Sequence, residues 1–273
     1  MSDLRDLRMK YYVSARTDTG RARTNNEDNF SVNEHYMLPP ARKSYAFSGD
    51  FTECVLSVCD GMGGESYGEL ASFIGVSCVA DDFAELLTGG ANERKAVANR
   101  LIQTANAIIC AEIRKKRARI GSTIVLTLIK DGLADIFNIG DSRAYLYRKN
   151  ALTQLTKDHT VLQQKIDMGI ISAHDTPVGN AKHQLTQHLG IFESEMIISA
   201  DHIEAALEDG DIILLCSDGL TDMVSNDEIA SVCGQSQDAD CISSALVEKA
   251  LENGGKDNVT VVVMVARGAE HEI

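Results

Sequence analysis

Four apolar runs of strand length each meet an aspartate at one end. The run VLSVC leads into Asp60, IFNIG into Asp141 and IILLCS into Asp218, while Asp257 opens the stretch from Asn258 to Val265. Near-continuous apolar runs of this length read as strands buried on both faces. Any one Asp-Gly step is explained as a turn in which glycine supplies a positive φ. The set is harder to explain that way. Carboxylates at the ends of neighbouring buried strands repel one another and resist desolvation unless cations sit among them. Glu27 and Asp28, at the end of the polar stretch from Thr17, extend the group into an all-oxygen cluster. Hard cations such as Mg²⁺ and Mn²⁺ prefer such donors.

Further strands are expected at Tyr11 to Arg16, Asn29 to Tyr36, Ser122 to Ile129, Leu133 to Ile139, Arg143 to Tyr147, Ala151 to Leu155, Met196 to Ser199 and Asp211 to Cys216. Apolar residues recur at helical spacing between Glu69 and Leu87 and between Glu93 and Arg117, predicting an adjacent helix pair. A short helix is expected at Val161 to Met168, and two more at Asn226 to Val232 and Asp240 to Leu251. Blocks of strands interleaved with helix pairs predict an α+β fold of antiparallel sheets with helices packed outside. Neither the alternating rhythm of a doubly wound sheet nor a repeat of solenoid length is present.

The chain has 273 residues, 44% hydrophobic and 24% charged, which is enough to build a sizeable core. Three prolines and no low-complexity linker predict one domain over residues 1–273, with its core at about 13–265. The net charge of -14 argues against nucleic acid or an anionic membrane as the main partner. No apolar run reaches the length of a membrane span, and the N-terminus shows no secretory signal. Seven scattered cysteines without a C-x-x-C pair argue against a zinc site and for a reducing, cytoplasmic setting.

Two phosphate- or metal-binding motifs fail on spacing. The stretch DGMGGESYGE lacks the alternating oxygen ligands of a calcium loop, and G-x-G-x-x-G would need glycine at Ser66. A larger ordered set of motifs resembles a known family. Thr17-Asp18-x-Gly20-x-x-Arg23-x-x-Asn26-Glu27-Asp28-Asn29 is followed by Val58-Cys59-Asp60-Gly61-Met62-Gly63-Gly64. Gly121-Ser122-Thr123, Gly140-Asp141-Ser142-Arg143-Ala144 and Leu155-Thr156-Lys157-Asp158-His159-Thr160 come next. Leu185-Thr186-x-x-Leu189-Gly190, Leu215-Cys216-Ser217-Asp218-Gly219-Leu220 and Asp257-Asn258-Val259-Thr260 complete the series. Together, from about Val13 to Val265, they resemble the metal-dependent serine/threonine protein phosphatases of type 2C, the PPM family, in their bacterial form.

The resemblance implies an αββα sandwich with a binuclear metal site at one end. It implies hydrolysis of phosphoserine and phosphothreonine by direct attack of a water activated between two metals, Mg²⁺ or Mn²⁺. By position, Asp60 is expected to bridge both ions, and Asp218 and Asp257 to complete one. Glu27 and the backbone carbonyl of Gly61 are expected to complete the other. Asp28 would hold metal-bound water, Asn258 would orient the neighbouring aspartate, and Arg23 would bind substrate phosphate with its guanidinium fork. Asp141, with Asp218, matches the position of a third, weaker metal.

Some positions depart from the family or read blandly. Met62 stands where animal relatives carry a histidine proposed as proton donor, which leaves that role unassigned. His159 reads as structural, and His174, His183 and His188 as solvated loop histidines beside the active site. No cysteine-phosphatase motif is expected, and Cys110 has Lys116 where C-x₅-R needs arginine. Lys115, Lys116 and Arg117 read as a solvated helix end favoured by the C-terminal dipole. The stretch from Met37 to Glu53 is long and has no assigned function. The expected partners are phosphorylated proteins, the targets of a serine/threonine kinase, and the expected state is a cytoplasmic monomer. The last expected strand ends close to the C-terminus of the sequence, and neither a membrane anchor nor a fused kinase is expected after it. Two alternatives from other classes are a catalytically silent phosphoprotein-binding scaffold and a small-molecule phosphoesterase or two-metal nuclease. The presence of Glu27, Asp60, Asp218 and Asp257 favours catalysis.

Overall fold

The computed structural model describes residues 9–63, 67–172 and 180–268. Gly64, Ser66, His174 and the first eight residues of the N-terminal segment read for a secretory signal lie outside the described residues. Two antiparallel sheets form the centre of the molecule. In the first the order is Ala151–Gln154 (β10), Arg143–Arg148 (β9), Ile212–Cys216 (β12), Val259–Arg267 (β13), Lys10–Asp18 (β1) and Ser44–Phe51 (β4). In the second it is Asp201–Ala206 (β11), Leu133–Ile139 (β8), Ile124–Lys130 (β7), Cys54–Gly63 (β5), Asp28–Val32 (β2) and His35–Tyr36 (β3). Ile120–Ser122 (β6) pairs with the far end of β5.

The period of two along each central strand explains the layering. In β13, Val262, Met264 and Ala266 meet Val13, Phe30, Leu56 and Ile136 in an apolar layer between the sheets. Val259, Val261, Val263 and Val265 point the other way, onto Asn226–Gln235 (α6) and Ala239–Glu252 (α7). On the outer face of the second sheet, Val55, Ile124, Leu126 and Phe137 pack against Tyr67–Asp81 (α1), Phe83–Leu86 (α2) and Ala91–Lys116 (α3). Both faces of each sheet are covered, so the order of layers is αββα. None of the seven cysteines is in a disulfide, and five of them are buried in these layers. No helix among the described residues is long and apolar enough to cross a membrane.

Three expectations need correction. The strand expected over Asn29 to Tyr36 breaks at Asn33, whose φ of 50° makes a hairpin of β2 and β3. The helix expected from Glu69 to Leu87 divides at Asp82 into α1 and α2. Met196 to Ser199 is not a strand: Ile198 is buried, but its carbonyl accepts from Gln103 on α3 instead of joining a ladder. The strand in that region is the polar edge strand β11, which pairs with β8. The long stretch from Met37 to Glu53 contains β4, which lies along all but the first residue of β1 and closes that edge of the first sheet.

Candidate active site

A cavity of about 720 Å³ opens at the end of the sandwich where β5, β8 and β12 finish and β13 begins. Its lining includes Arg23, Glu27, Asp60, Gly61, Asp141, Asp218, Asp257 and Asn258, so most of the residues singled out from sequence meet in one place. Asp28 is the exception. It pairs across the ladder with Asp60 but is only 2% exposed, behind the cavity wall.

Strand ends and side-chain hydrogen bonds fix the inner carboxylates. The Asp60 amide donates to Thr123 Oγ1 at 2.9 Å, and the Thr123 amide returns a bond to the Asp60 carbonyl. Behind it, Asp28 Oδ2 accepts from Ser217 Oγ and from Thr260 Oγ1, both at 2.7 Å. Thr260 in turn shares a 2.7 Å hydroxyl contact with Thr17, which accepts from Asn26 Nδ2. Ser217 occupies the N-cap position of Asp218–Thr221 (α5), yet its hydroxyl serves Asp28 and not the helix.

Burial and mutual repulsion dominate the electrostatics. Burial first, then Asp28, Asp218, Asp141 and Asp257, push the Asp60 carboxyl well above the usual carboxylate range. Asp28 is raised to about 7, chiefly by burial, against the two hydroxyl bonds that hold it down. Asp141 is raised to about 7 by burial and then by Asp218 and Asp158. Glu27 is raised by burial, with Arg23 and the Gly68 amide opposing.

The outer carboxylates have counter-charges. Arg23 Nη2 lies 2.7 Å from Asp257 Oδ2. His183 reaches Asp218 at 3.6 Å and Asp222 at 3.7 Å, and Lys182 pairs with Asp222. His183 and its two aspartates place donor atoms within 4.8 Å of one another, as do Asp135, His202 and Glu204 on the far side of the second sheet. Sequence reasoning missed Asp222, while His183, read as a solvated loop histidine beside the site, is exposed; it lines the cavity with His188 and Asp222. For Asp222 a signal existed: it stands four residues after Asp218, one turn along a helix.

The donors suit a metal of the hard, oxygen-preferring kind. Glu27 Oε1 and the Gly61 carbonyl oxygen each lie 2.8 Å from the point a side-chain carbon at Gly68 would occupy, so both converge on one spot. A side chain at Gly61 would in turn meet the Gly68 carbonyl at 2.0 Å, which is why only glycine fits there. At the other wall, a side chain at Gly219 would strike the Asn258 carbonyl at 1.8 Å, so glycine lets α5 close onto the start of β13. Asn258 does more than attend to its neighbour. Its amide donates to Asp257 Oδ1, while its side chain accepts from the Glu27 amide at 2.7 Å and donates to the Thr19 and Asn25 carbonyls. It therefore ties the loop carrying Arg23 and Glu27 to Asp257 and the start of β13.

His159 stays out of the cavity. Its Nδ1 accepts from the Gly140 amide and its Nε2 lies 3.3 Å from Asp201, a structural position. Met62 lines the cavity and offers no proton donor.

Layered sheets ending in an acidic cavity define a class of metal-dependent phosphatases, and comparison with known proteins agrees. The family model for protein phosphatase 2C matches residues 44–239. The serine/threonine phosphatase stp of Listeria welshimeri is 33% identical over 258 residues, covering 93% of this chain and 95% of that protein. Among solved structures, the S. agalactiae serine/threonine phosphatase superposes with a TM-score of 0.82 at 27% identity, covering 93% of this chain and 99% of that one. The catalytic domain of the serine/threonine protein phosphatase PstP, in complex with two manganese ions, gives 0.76 at 31% identity, with 95% and 99% covered. The chain belongs to the protein phosphatase 2C family. It is a hydrolase, a protein-serine/threonine phosphatase.

Proposed function

We propose that the cavity holds two divalent cations, Mg²⁺ or Mn²⁺, and removes phosphate from phosphoserine and phosphothreonine by direct attack of water. The observation that carries this reading is the group of inner carboxylates, raised by burial and by one another, beside the convergent Glu27 and Gly61 oxygens. The two manganese ions of the PstP catalytic domain support it. Asp60 would contact both ions, Asp218 and Asp257 one, and Glu27 with the Gly61 carbonyl the other. Asp141, with Asp218, would hold a third and weaker ion. Bound cations supply the Lewis acidity that activates water and offset the charge of the phosphoryl group.

The chain's own residues do the positioning. Ser217 and Thr260 hold Asp28 by one oxygen, and no further hydrogen bond among the described residues engages its other oxygen, which is left to orient water. Arg23 has five donors in a rigid fork, so it can keep Asp257 and still bind phosphate oxygens. Thr123 and Asn258 hold the strand and loop ends in register. The substrates under this reading are phosphoproteins produced by a serine/threonine kinase. The enzyme acts as a cytoplasmic monomer.

Dephosphorylation of a phosphothreonine peptide, with and without Mn²⁺ and a chelator, tests the proposal. Turnover should vanish with the chelator and return with Mn²⁺ or Mg²⁺. Full turnover at a metal content near zero contradicts it. Metal-independent peptide binding without turnover would assign the chain to the scaffold class.

A further inference from the structure

We propose that the basic strip from Arg114 to Arg119 is a docking surface for acidic residues flanking the phosphorylated residue. The inference rests on the phosphatase reading and names a class of substrate for it. Five of the chain's 26 lysines and arginines fall in these six positions, in a protein of net charge -14. Arg114, Lys115, Arg117 and Arg119 are exposed. The helix dipole accounts for cations in the last turn of α3. It also favours Arg117, which caps the helix with a φ of 52°, but it does not account for Arg119 beyond the helix. Lys115 is paired with Glu112, while Arg114 stacks on Phe192 and Lys116 on Tyr67. Among the described residues, Arg117 and Arg119 make no ion pair, so their charge is available.

Their place in the fold gives that charge a use. The strip runs directly into β6, where Ile120 pairs with Gly63 and Gly121 with Met62. Met62 and Gly63 line the cavity, and the Arg119 carbonyl lies 3.2 Å from where a side-chain carbon at Gly63 would stand. Along β5, Asp60 and Gly63 are about 10 Å apart, and an arginine side chain adds several ångströms. An extended peptide with its phosphate at Asp60 therefore reaches the strip about three to five residues away. The net charge of -14 disfavours acidic segments in general, and these exposed cations offer them a favourable contact beside the cavity.

Two phosphothreonine peptides test the proposal on the Mn²⁺-loaded full chain. One carries aspartates about three to five residues from the phosphothreonine on both sides, and the other carries asparagines there. The acidic peptide should show a kcat/KM about threefold to tenfold higher, an advantage that shrinks as salt rises to about 0.5 M. Arg117→Gln with Arg119→Gln should abolish the advantage and leave turnover of the neutral peptide and of p-nitrophenyl phosphate unchanged. Arg119→Glu should reverse it. Lys95→Gln, about 30 Å away near the start of the same helix, should leave it intact. Equal kcat/KM for the two peptides in the unaltered protein, or a preference that survives the double substitution, overturns the proposal. Fluorescence anisotropy of both peptides reads the same preference without turnover. Loss of all turnover with the acidic preference intact would sink the metal mechanism and leave the docking surface standing.

Discussion

The inner and outer carboxylates of one cavity solve the same electrostatic problem differently. Asp28 opens β2, Asp60 lies near the end of β5 and Asp141 follows β8; all are raised by burial, with no ion pair among the described residues. Asp257, Asp218 and Asp222 stand further out, and Arg23, His183 and Lys182 compensate them. Long side chains reach the rim from loops. Among the described residues, none forms an ion pair with the inner group, although Asp60 and Asp141 line the same cavity. The difference teaches where cations matter most: at the rim they compete with side chains, and at the inner group they have no rival.

Four outcomes would break or sharpen this contrast. Asp60→Asn should lower turnover about 10³-fold or more, because Asp60 is the inner carboxylate expected to contact both ions. In chelator, the same substitution should raise the melting temperature by removing a buried, repelled charge. A lower melting temperature in chelator would mean that Asp60 is already compensated.

The pH dependence of the metal-free protein comes next. Asp28 and Asp141 have folded-state values near 7, above an unfolded value of about 3.9. Their contribution to stability is therefore fully present below pH ~4 and is lost as pH rises through about 7. Thermal melts in chelator should weaken between about pH 4 and 7 by a few kcal/mol and level off above that, and Mn²⁺ should remove most of that slope. A flat profile in chelator would show the inner group to be unstrained.

Asp141→Ala should lose most turnover on phosphothreonine peptides, about tenfold to a hundredfold, while keeping the two tight ions. It should lose less on p-nitrophenyl phosphate, whose leaving group needs little protonation. Equal losses on both substrates would remove Asp141 from leaving-group chemistry. The smallest effect belongs to the rim. Arg23→Ala should raise KM for the phosphopeptide about tenfold, more than it lowers kcat, with metal affinity kept because Asp257 is freed. Loss of metal binding in that variant would make Arg23 part of the carboxylate scaffold.

Strand character, not depth in the cavity, decided what could be read from the amino-acid order. Asp60, Asp141, Asp218 and Asp257 were legible because each ends or opens an apolar run that must be a buried strand. Convergence into one cavity follows once those strands are neighbours. The cations that face Asp218 and Asp222 were not legible. His183 and Lys182 come from a polar stretch with no periodicity, and their partners lie about 35 to 40 positions along the chain. β4 was missed although Tyr45, Phe47 and Phe51 alternate, because Gly49 interrupts the pattern and half the strand is exposed. β11 was missed for a related reason. Its sequence, DHIEAA, is that of a polar edge, while the apolar stretch just before it drew the strand to Met196.

Titration of the chelator-stripped protein with Mn²⁺ at pH 7, by calorimetry in two buffers of different ionisation enthalpy, tests the central claim most directly. The heats give the number of ions bound, and the difference between buffers gives the protons displaced. With Asp28 and Asp141 near 7 and Asp60 above its usual range, the account predicts two tight ions and release of about one proton or more. Two ions binding without proton release, or one weak ion alone, would contradict it.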